Sequence, residues 1–279
     1  MLASIVIPTY NRSDVLLKTF RYWEKQTIRD FEIIIIDDNS SDGTYEKINE
    51  YLNENRSLNI RVIRNNMNMG SADGRNKGAL YSKSEIIIYT DDDAFPTPNF
   101  VERHIYYHRK YPNAIVRGPI INFSDLSFLE IFFLPNHEIK RKIFLAMKGY
   151  SGNYFCTANV SIRKELIYKV GFFDLDFNRW QDTEFGYRLR KMGIVRFFDF
   201  QAWVLHYKQQ YSDPYRHFYN EGKYAAKLLK YYPNLSVKLR TGYFPFFPIW
   251  QIFYNAEIFT YNKHPKLGYI KGFLEEYKK

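Results

Sequence analysis

Three consecutive carboxylates, Asp91, Asp92 and Asp93, stand directly after the apolar run Ile86-Ile87-Ile88-Tyr89 and Thr90. Adjacent carboxylates repel one another unless a cation neutralises them, and hard divalent ions such as Mg2+ or Mn2+ prefer oxygen ligands of this kind. The pattern reads as a buried strand that ends by delivering acids to a cleft, where a cation could hold a diphosphate. A solvated acidic turn would look the same on these residues alone. Context favours the cleft: Phe31 to Ile36 is a second apolar run that ends in Asp37 and Asp38. In open α/β sheets the carboxyl ends of strands are where ligands bind. Strand alternation would send Asp91 and Asp93 to one side and Asp92 to the other.

The elements that must position these acids follow from local pattern. Ser4 to Pro8 is a β-rich run closed by Pro8-Thr9-Tyr10-Asn11, after which Ser13 or Asp14 caps a helix with Leu16, Phe20 and Trp23 at helical spacing. Phe31 to Ile36 is the next strand, a turn-rich stretch over 38–43 follows, and Tyr45, Ile48 and Leu52 mark a second helix. Asn59 to Arg64 reads as a third strand, 65–70 as a loop, and Arg75, Ala79 and Leu80 as a third helix before strand 86–90. This alternation predicts a mostly parallel, Rossmann-like central sheet flanked by helices. Further on, 99–110 reads as a helix, 116–121 as a strand, 202–207 as a last strand, and Asp213-Pro214 as the start of a helix carrying Phe218, Ala225 and Leu229.

Bulk properties bound the class. With 279 residues and 46% hydrophobic content the chain can bury one substantial α/β core with a smaller C-terminal appendage. The net charge of +10 and a sequence pI near 9.3 favour anionic partners: nucleoside diphosphates, nucleic acid or an acidic membrane surface. A single cysteine, Cys156, excludes an intramolecular disulfide framework and a cysteine-rich metal site, and suggests a reducing, cytoplasmic setting. The N-terminus shows no signal-peptide pattern, and no stretch approaches 18 uninterrupted apolar residues, so no spanning helix is expected.

Four segments, taken in order, resemble the family 2 glycosyltransferases of GT-A fold: Ile-Val-Ile-Pro-Thr-Tyr-Asn-Arg at 5–12, Glu-Ile-Ile-Ile-Ile-Asp-Asp-Asn-Ser-Ser-Asp-Gly-Thr at 32–44, Asn-Met-Gly-Ser-Ala-Asp-Gly-Arg-Asn-Lys-Gly at 68–78, and Thr-Asp-Asp-Asp at 90–93. The similarity covers about residues 3–207. It implies a catalytic domain over 1–207, with 1–95 as the nucleotide-binding half and 96–207 as the acceptor half. Residues 208–279 form a helical, aromatic-rich C-terminal extension without a family signature.

The resemblance also implies roles. Pro8, Thr9, Tyr10 and Asp38 should cradle the base and ribose of a UDP- or GDP-type donor sugar, with Arg12 beside them and Arg75 against the nucleobase. Asp91 is assigned to ribose or metal, Asp93 to the metal directly, Asp92 to support, and the cofactor is Mn2+ or Mg2+. Gly149 to Arg163 resembles the segment that lines the donor sugar, which places Asn159 near that sugar. His206 resembles the family histidine that reaches the metal or the diphosphate. Asp182 falls at a helix N-terminus, a position that stabilises an ionised carboxylate. In the family the second of two acids there is the general base that deprotonates the acceptor hydroxyl with inversion. Gln181 replaces the usual first acid, which puts in doubt only that residue's part in acceptor recognition; Glu184 is the fallback base.

Two stretches stay open on sequence. Residues 126–147 are amphipathic and suit a mobile lid, an interface helix or ordinary core cover, with Pro135 interrupting them. The aromatic run over 243–261, with Lys238, Arg240, Lys263 and Lys266 around it, suits a membrane interface, a homodimer contact or intramolecular packing. The acceptor is expected to be a glycan, lipid-linked or protein hydroxyl, and the protein to be cytoplasmic, with a peripheral place at the inner face of the membrane. Nucleic acid is not expected as a partner, although charge and aromatics would allow it, because acidic clusters at two strand ends would repel phosphates. An idle sugar-nucleotide-binding module would have no use for Asp91, Asp93 and Asp182 together.

Overall fold

Successive strand residues face opposite sides of the sheet, and here both sides are covered. In the computed structural model, which describes residues 1–124, 154–208, 212–241, 243 and 265–279, β1 (Ala3–Thr9) sends Ile5 and Ile7 to one side and Val6 to the other. Ile5 and Ile7 pack with Ile33 and Ile35 of β2 (Phe31–Asp37), Leu16, Phe20 and Trp23 of α1 (Ser13–Trp23), and Phe100 and Ile105 of α4 (Phe100–Lys110). Val6 packs with Ala72 and Ala79 of α3 (Ser71–Tyr81) and with Ile87 and Tyr89 of β4 (Ile86–Tyr89). Two-sided burial is why these strands read as continuous apolar runs.

The seven-stranded sheet has the order β3-β2-β1-β4-β8-β6-β9. Its remaining members are β3 (Ile60–Arg64), β6 (Ala114–Arg117), β8 (Val160–Arg163) and β9 (Val195–Phe198). All pairings are parallel except those of β8 with β4 and β6. α2 (Thr44–Glu54) connects β2 to β3, and α5 (Lys164–Val170) follows β8. The chain runs outward from β1 to β3 and then returns to place β4 on the other side of β1. The carboxyl ends of β1 and β4 therefore flank the point where the strand order reverses, the crevice in which open α/β sheets bind ligands.

A second sheet of three strands, β5 (Ala94–Pro96), β10 (Val204–Tyr207) and β7 (Ile120–Phe123), sits beyond β4 in the chain path. The single strand expected over 116–121 is two strands, β6 and β7, in different sheets. Gly118 lies at the break, where an added Cβ would meet the Ala202 carbonyl oxygen at 1.8 Å. Neither β5 nor β9 was expected; the first has three residues, and the second is a sheet edge whose Val195 is exposed.

The chain divides into two compact units, Met1–Asp176 with Phe185–Gln209, and Phe177–Glu184 with Gln210–Lys279. The second contains α7 (Pro214–Tyr231), α8 (Leu235–Arg240) and α9 (Pro265–Lys278). Asp213 caps α7 as its sequence suggests, accepting from the Arg216 N–H at 2.9 Å with Pro214 in the first turn. Phe177–Glu184, which lies inside the expected 1–207 domain, groups with these helices. Residues 126–147, the glycine segment 149–153 and the aromatic run 244–261 lie outside the described residues. Among the described residues no helix is long and apolar enough to cross a membrane.

Candidate active site

β4 delivers its acids as the expected pattern requires, and the three carboxylates share their partners. Asp91 Oδ1 accepts from Arg75 Nη2 at 3.1 Å. Asp92 accepts from the Thr9 hydroxyl at 2.7 Å and from Arg12 Nη1 at 3.3 Å, and the same Arg12 nitrogen pairs with Asp93 Oδ2. His206 of β10 closes the group, with Nε2 at 2.8 Å from Asp93 Oδ1 and 3.5 Å from Asp91 Oδ2. Asp91 and Asp93 thus face one histidine, while Asp92 turns to Thr9 and Arg12.

The electrostatics follow from this packing. Burial would raise Asp91, but the His206 hydrogen bond and the Arg75 charge outweigh it and bring its pKa down to about 2. Burial would lower His206, yet Asp91 and Asp93 hold its imidazolium and push it up to about 10. Asp92 is raised, chiefly by burial, with Asp93 and Asp91 adding repulsion that Arg12 only partly offsets. Arg12 is raised because Asp92 and Asp93 together outweigh its burial. Three carboxylates against two guanidiniums leave one negative charge that a proton on His206 or a bound cation must balance.

The residues fit a divalent cation. One ligand atom from each of Asp91, Asp93 and His206 lies within 4.8 Å of the others, and two carboxylates with an imidazole suit Mn2+ or Mg2+. With His206 Nδ1 3.1 Å from Asn122 Oδ1, an N–H at Nδ1 donates to that oxygen and Nε2 is the atom turned to the acids. Asn122, on β7, was not expected from sequence; an exposed asparagine on a short strand carries no signal of its own. Arg75 fits an anion beside that cation: among the described residues its Nε and Nη1 have no hydrogen-bond partner, although the side chain is almost wholly enclosed.

The other expected residues have mixed placements. Pro8 lies under α3, where its Cβ would be 2.9 Å from a Cβ added to Gly74. Tyr10 is exposed beside Asn11, whose φ is 53°. The Asp38 carboxylate accepts from Asn65 Nδ2 at 2.8 Å and from the N–H groups of Met69 and Gly70 at 2.8 and 2.7 Å. It therefore organises the 65–70 loop, which limits the capacity left for a nucleobase. Arg12 and Arg75, expected beside the base, are paired with the acids instead.

Asn159 departs furthest from expectation. It is fully buried, and its Nδ2 donates to the carbonyls of Pro119 and Ala202, both at 2.9 Å. That fixes the amide orientation, so Oδ1 must accept from His104 Nε2 at 3.1 Å. His104 Nδ1 then accepts from the Ser161 hydroxyl at 2.7 Å, whose oxygen in turn accepts from His108 Nε2 at 2.8 Å. With both amide hydrogens used inside the fold, Asn159 clamps the residues that lead into β7 and β10.

In the other unit, Asp182 is the second residue of α6 (Gln181–Lys191), half-buried in the acidic first turn of that helix. Glu184, the fallback base, is buried and accepts from the Tyr232 hydroxyl at 2.7 Å.

Comparison with known proteins agrees with this architecture. The family described as Glycosyl transferase family 2 matches residues 4–171. Validoxylamine A glucosyltransferase of Streptomyces hygroscopicus subsp. jinggangensis is 28% identical over 231 residues, covering 72% of this chain and 54% of that protein. Hyaluronan synthase of Pasteurella multocida is 30% identical over 228 residues, covering 68% of this chain and 23% of that protein. The chain thus spans about half, or less, of the length of these relatives. A mannosyltransferase from Pyrobaculum calidifontis, solved with GDP-Man and Mn2+, superposes with a TM-score of 0.62 at 15% identity, covering 82% of this chain and 63% of that one. A parallel sheet with its strand reversal between β1 and β4, acids at the β4 end and a family match over most of the sheet lead to one assignment: this chain belongs to glycosyl transferase family 2 and has the GT-A fold.

Proposed function

We propose that the chain transfers a sugar from a UDP- or GDP-type nucleoside-diphosphate sugar to an acceptor hydroxyl, with inversion at the anomeric carbon. The observation that carries this reading is the convergence of Asp91, Asp93 and His206 beside an Arg75 whose Nε and Nη1 are buried and unsatisfied. Those three residues would hold Mn2+ or Mg2+, which when bound supplies neutralising charge for the diphosphate and for the departing nucleotide.

The chain's own residues do the rest. Arg75 offers its free donors to a phosphate oxygen. Pro8, Thr9, Tyr10 and Asp38 border the base and ribose, with Asp38 holding the 65–70 loop in place. Asp182 accepts the proton of the acceptor hydroxyl as the new C–O bond forms, so an ordinary carboxylate suffices. Attack from the face opposite the leaving nucleotide inverts the centre in one displacement, without a covalent intermediate. Positioning and leaving-group stabilisation carry most of the rate. In this reading 1–95 binds the donor, 96–207 the acceptor, and 208–279 extends the catalytic domain.

A relative named as a glucosyltransferase supports a hexosyl donor, and the acceptor is a glycan, lipid-linked or protein hydroxyl. The +10 charge and lone Cys156 favour a cytoplasmic setting at the inner face of a membrane. The test is nucleoside diphosphate release from UDP- and GDP-sugars with Mn2+. Asp182→Asn should keep donor binding and lose turnover; unchanged turnover removes Asp182 from the base role.

A further inference from the structure

The turn that begins α6 is held in a conformation its sequence resists. Among the described residues the non-glycine positions with positive φ are Asn11, Asn39 and Trp180. Asparagine tolerates the left-handed region, whereas a bulky residue at φ 63° is an outlier that persists only when its surroundings over-determine it. Trp180 stands two residues before Asp182.

α7 supplies those surroundings. Glu221 Oε2 accepts from the Trp180 indole N–H at 2.7 Å, and its Oε1 accepts from Arg179 Nη1 at 2.6 Å. The Arg240 guanidinium lies 5.9 Å from the Trp180 ring centroid. Three residues before Trp180, the buried Phe177 ring packs edge-on against Tyr231 at 5.4 Å, with the Lys227 ammonium 5.2 Å from its centroid. After the turn, the Tyr232 hydroxyl holds Glu184. Glu221, Tyr224, Lys227 and Tyr231 recur at intervals of three or four, so one stripe of α7 meets Phe177, Arg179 and Trp180.

We propose that α7 is the positioning element for the Asp182 turn and that Glu221 is its principal positioning residue, tying two consecutive side chains before the helix to one carboxylate. This rests on the reading of Asp182 as the base. α7 is then a working part of the catalytic machinery. Glu221 touches no reacting atom in this scheme; it acts through the geometry of Asp182.

The test compares Glu221→Gln, Asp182→Asn and Glu275→Gln. The last replaces the charged acceptor of the 2.5 Å bond from the Tyr219 hydroxyl that joins α7 to α9 by a neutral, weaker one, and serves as a control for general loosening of this unit. Each variant is assayed for nucleoside diphosphate release from UDP-glucose, UDP-N-acetylglucosamine and GDP-mannose with Mn2+, for donor half-saturation, and for amide hydrogen exchange over residues 177–190. Glu221→Gln should lower turnover roughly 10- to 100-fold with donor half-saturation unchanged, and speed exchange over 177–190, while Glu275→Gln leaves both as in the parent. Parental turnover or parental exchange in Glu221→Gln overturns the proposal, as does an equal loss in Glu275→Gln. Full turnover in Asp182→Asn is a separate result: it removes the base assignment, whatever Glu221→Gln shows.

Discussion

His206 Nε2 lies 2.8 Å from Asp93 Oδ1, and the chain reaches this distance through strand pairing. β10 runs antiparallel to β5 with His206 opposite Ala94, the residue after Asp93, and the Tyr207 N–H donates to the Asp93 carbonyl at 2.9 Å. The histidine and the acid are therefore fixed by backbone ladder bonds and not by side-chain reach alone. Asn122, opposite His206 in the parallel β7–β10 pairing, sets the ring's tautomer from the other side.

This frame predicts a division between ligand and orienting residue. His206→Ala should abolish Mn2+-dependent nucleotide binding or weaken it at least tenfold, and Asn122→Ala, which frees the ring without removing it, should weaken Mn2+ affinity by roughly 10- to 100-fold. Mn2+ titration followed by electron paramagnetic resonance separates them. Equal affinity in Asn122→Ala and the parent would refute the orienting role.

Asn159 should behave as a structural clamp. Asn159→Ala leaves the Ala202 carbonyl and one His104 N–H without the partner Asn159 gives them, and takes one of two donors from the Pro119 carbonyl, which keeps the Val204 N–H, a loss of about 3 kcal/mol and a fall in Tm of roughly 10 °C. Affinity for the nucleoside-diphosphate sugar, in the protein that remains folded, should not change. A large loss of affinity with an unaltered Tm would instead make Asn159 a donor-sugar contact.

The same buried network predicts acid sensitivity. Burial holds His104 down to about 4, against the Asn159 hydrogen bond, and holds His108 down to about 3, with the charges of His104 and Arg163 adding to it. Both folded-state values lie below the ordinary value of about 6.5, so the neutral forms favour folding. Their contribution is complete above that value and is lost as pH falls towards about 4 and about 3. Each adds a slope approaching 1.4 kcal/mol per pH unit. His206 is raised, so its contribution is already complete below 6.5 and adds no slope there. The urea midpoint should drop between pH 6.5 and 5, and drop less in His108→Gln; a flat midpoint in the parent would contradict this.

Helix α3 seats directly on β1 at Gly78. A Cβ there would lie 2.2 Å from Val6 Cγ1, so Gly78→Ala should cost about 1–3 kcal/mol through overpacking. Val6→Ala combined with it should recover part of that loss, as a double-mutant cycle read by chemical denaturation would show. Simple additivity of the two losses would mean that the residues do not share the contact.

Much of this was legible in the sequence where one residue type had one physical reason to be there. Apolar runs ending in Asp37-Asp38 and Asp91-Asp92-Asp93 located two strands and the edge they deliver to, because two-sided burial leaves no polar alternation. Asp213-Pro214 announced α7 through ordinary capping chemistry. What stayed hidden was set by partners distant in the chain. The break between β6 and β7 depends on the Ala202 carbonyl pressing on Gly118, which local pattern does not contain. Asn159 in a motif-bearing segment looks like a ligand contact until the two carbonyls it clamps are brought beside it. Asp182 was legible as an acid at a helix start, but the grouping of its turn with α7 rests on Glu221, Tyr231 and Tyr232, which in sequence look like an ordinary amphipathic helix.

The central claim is that Asp91, Asp93, His206 and Arg75 together hold a metal-bound nucleoside diphosphate, and thermal unfolding tests it most directly. UDP, GDP, CDP and ADP would each be added with Mn2+, with Mg2+ and with neither, since a ligand that binds only the folded state raises Tm by mass action. The account predicts a rise with one base that requires the metal and disappears in Asp93→Asn. A folded protein whose Tm is unmoved by every combination, or moved equally without metal, would contradict it.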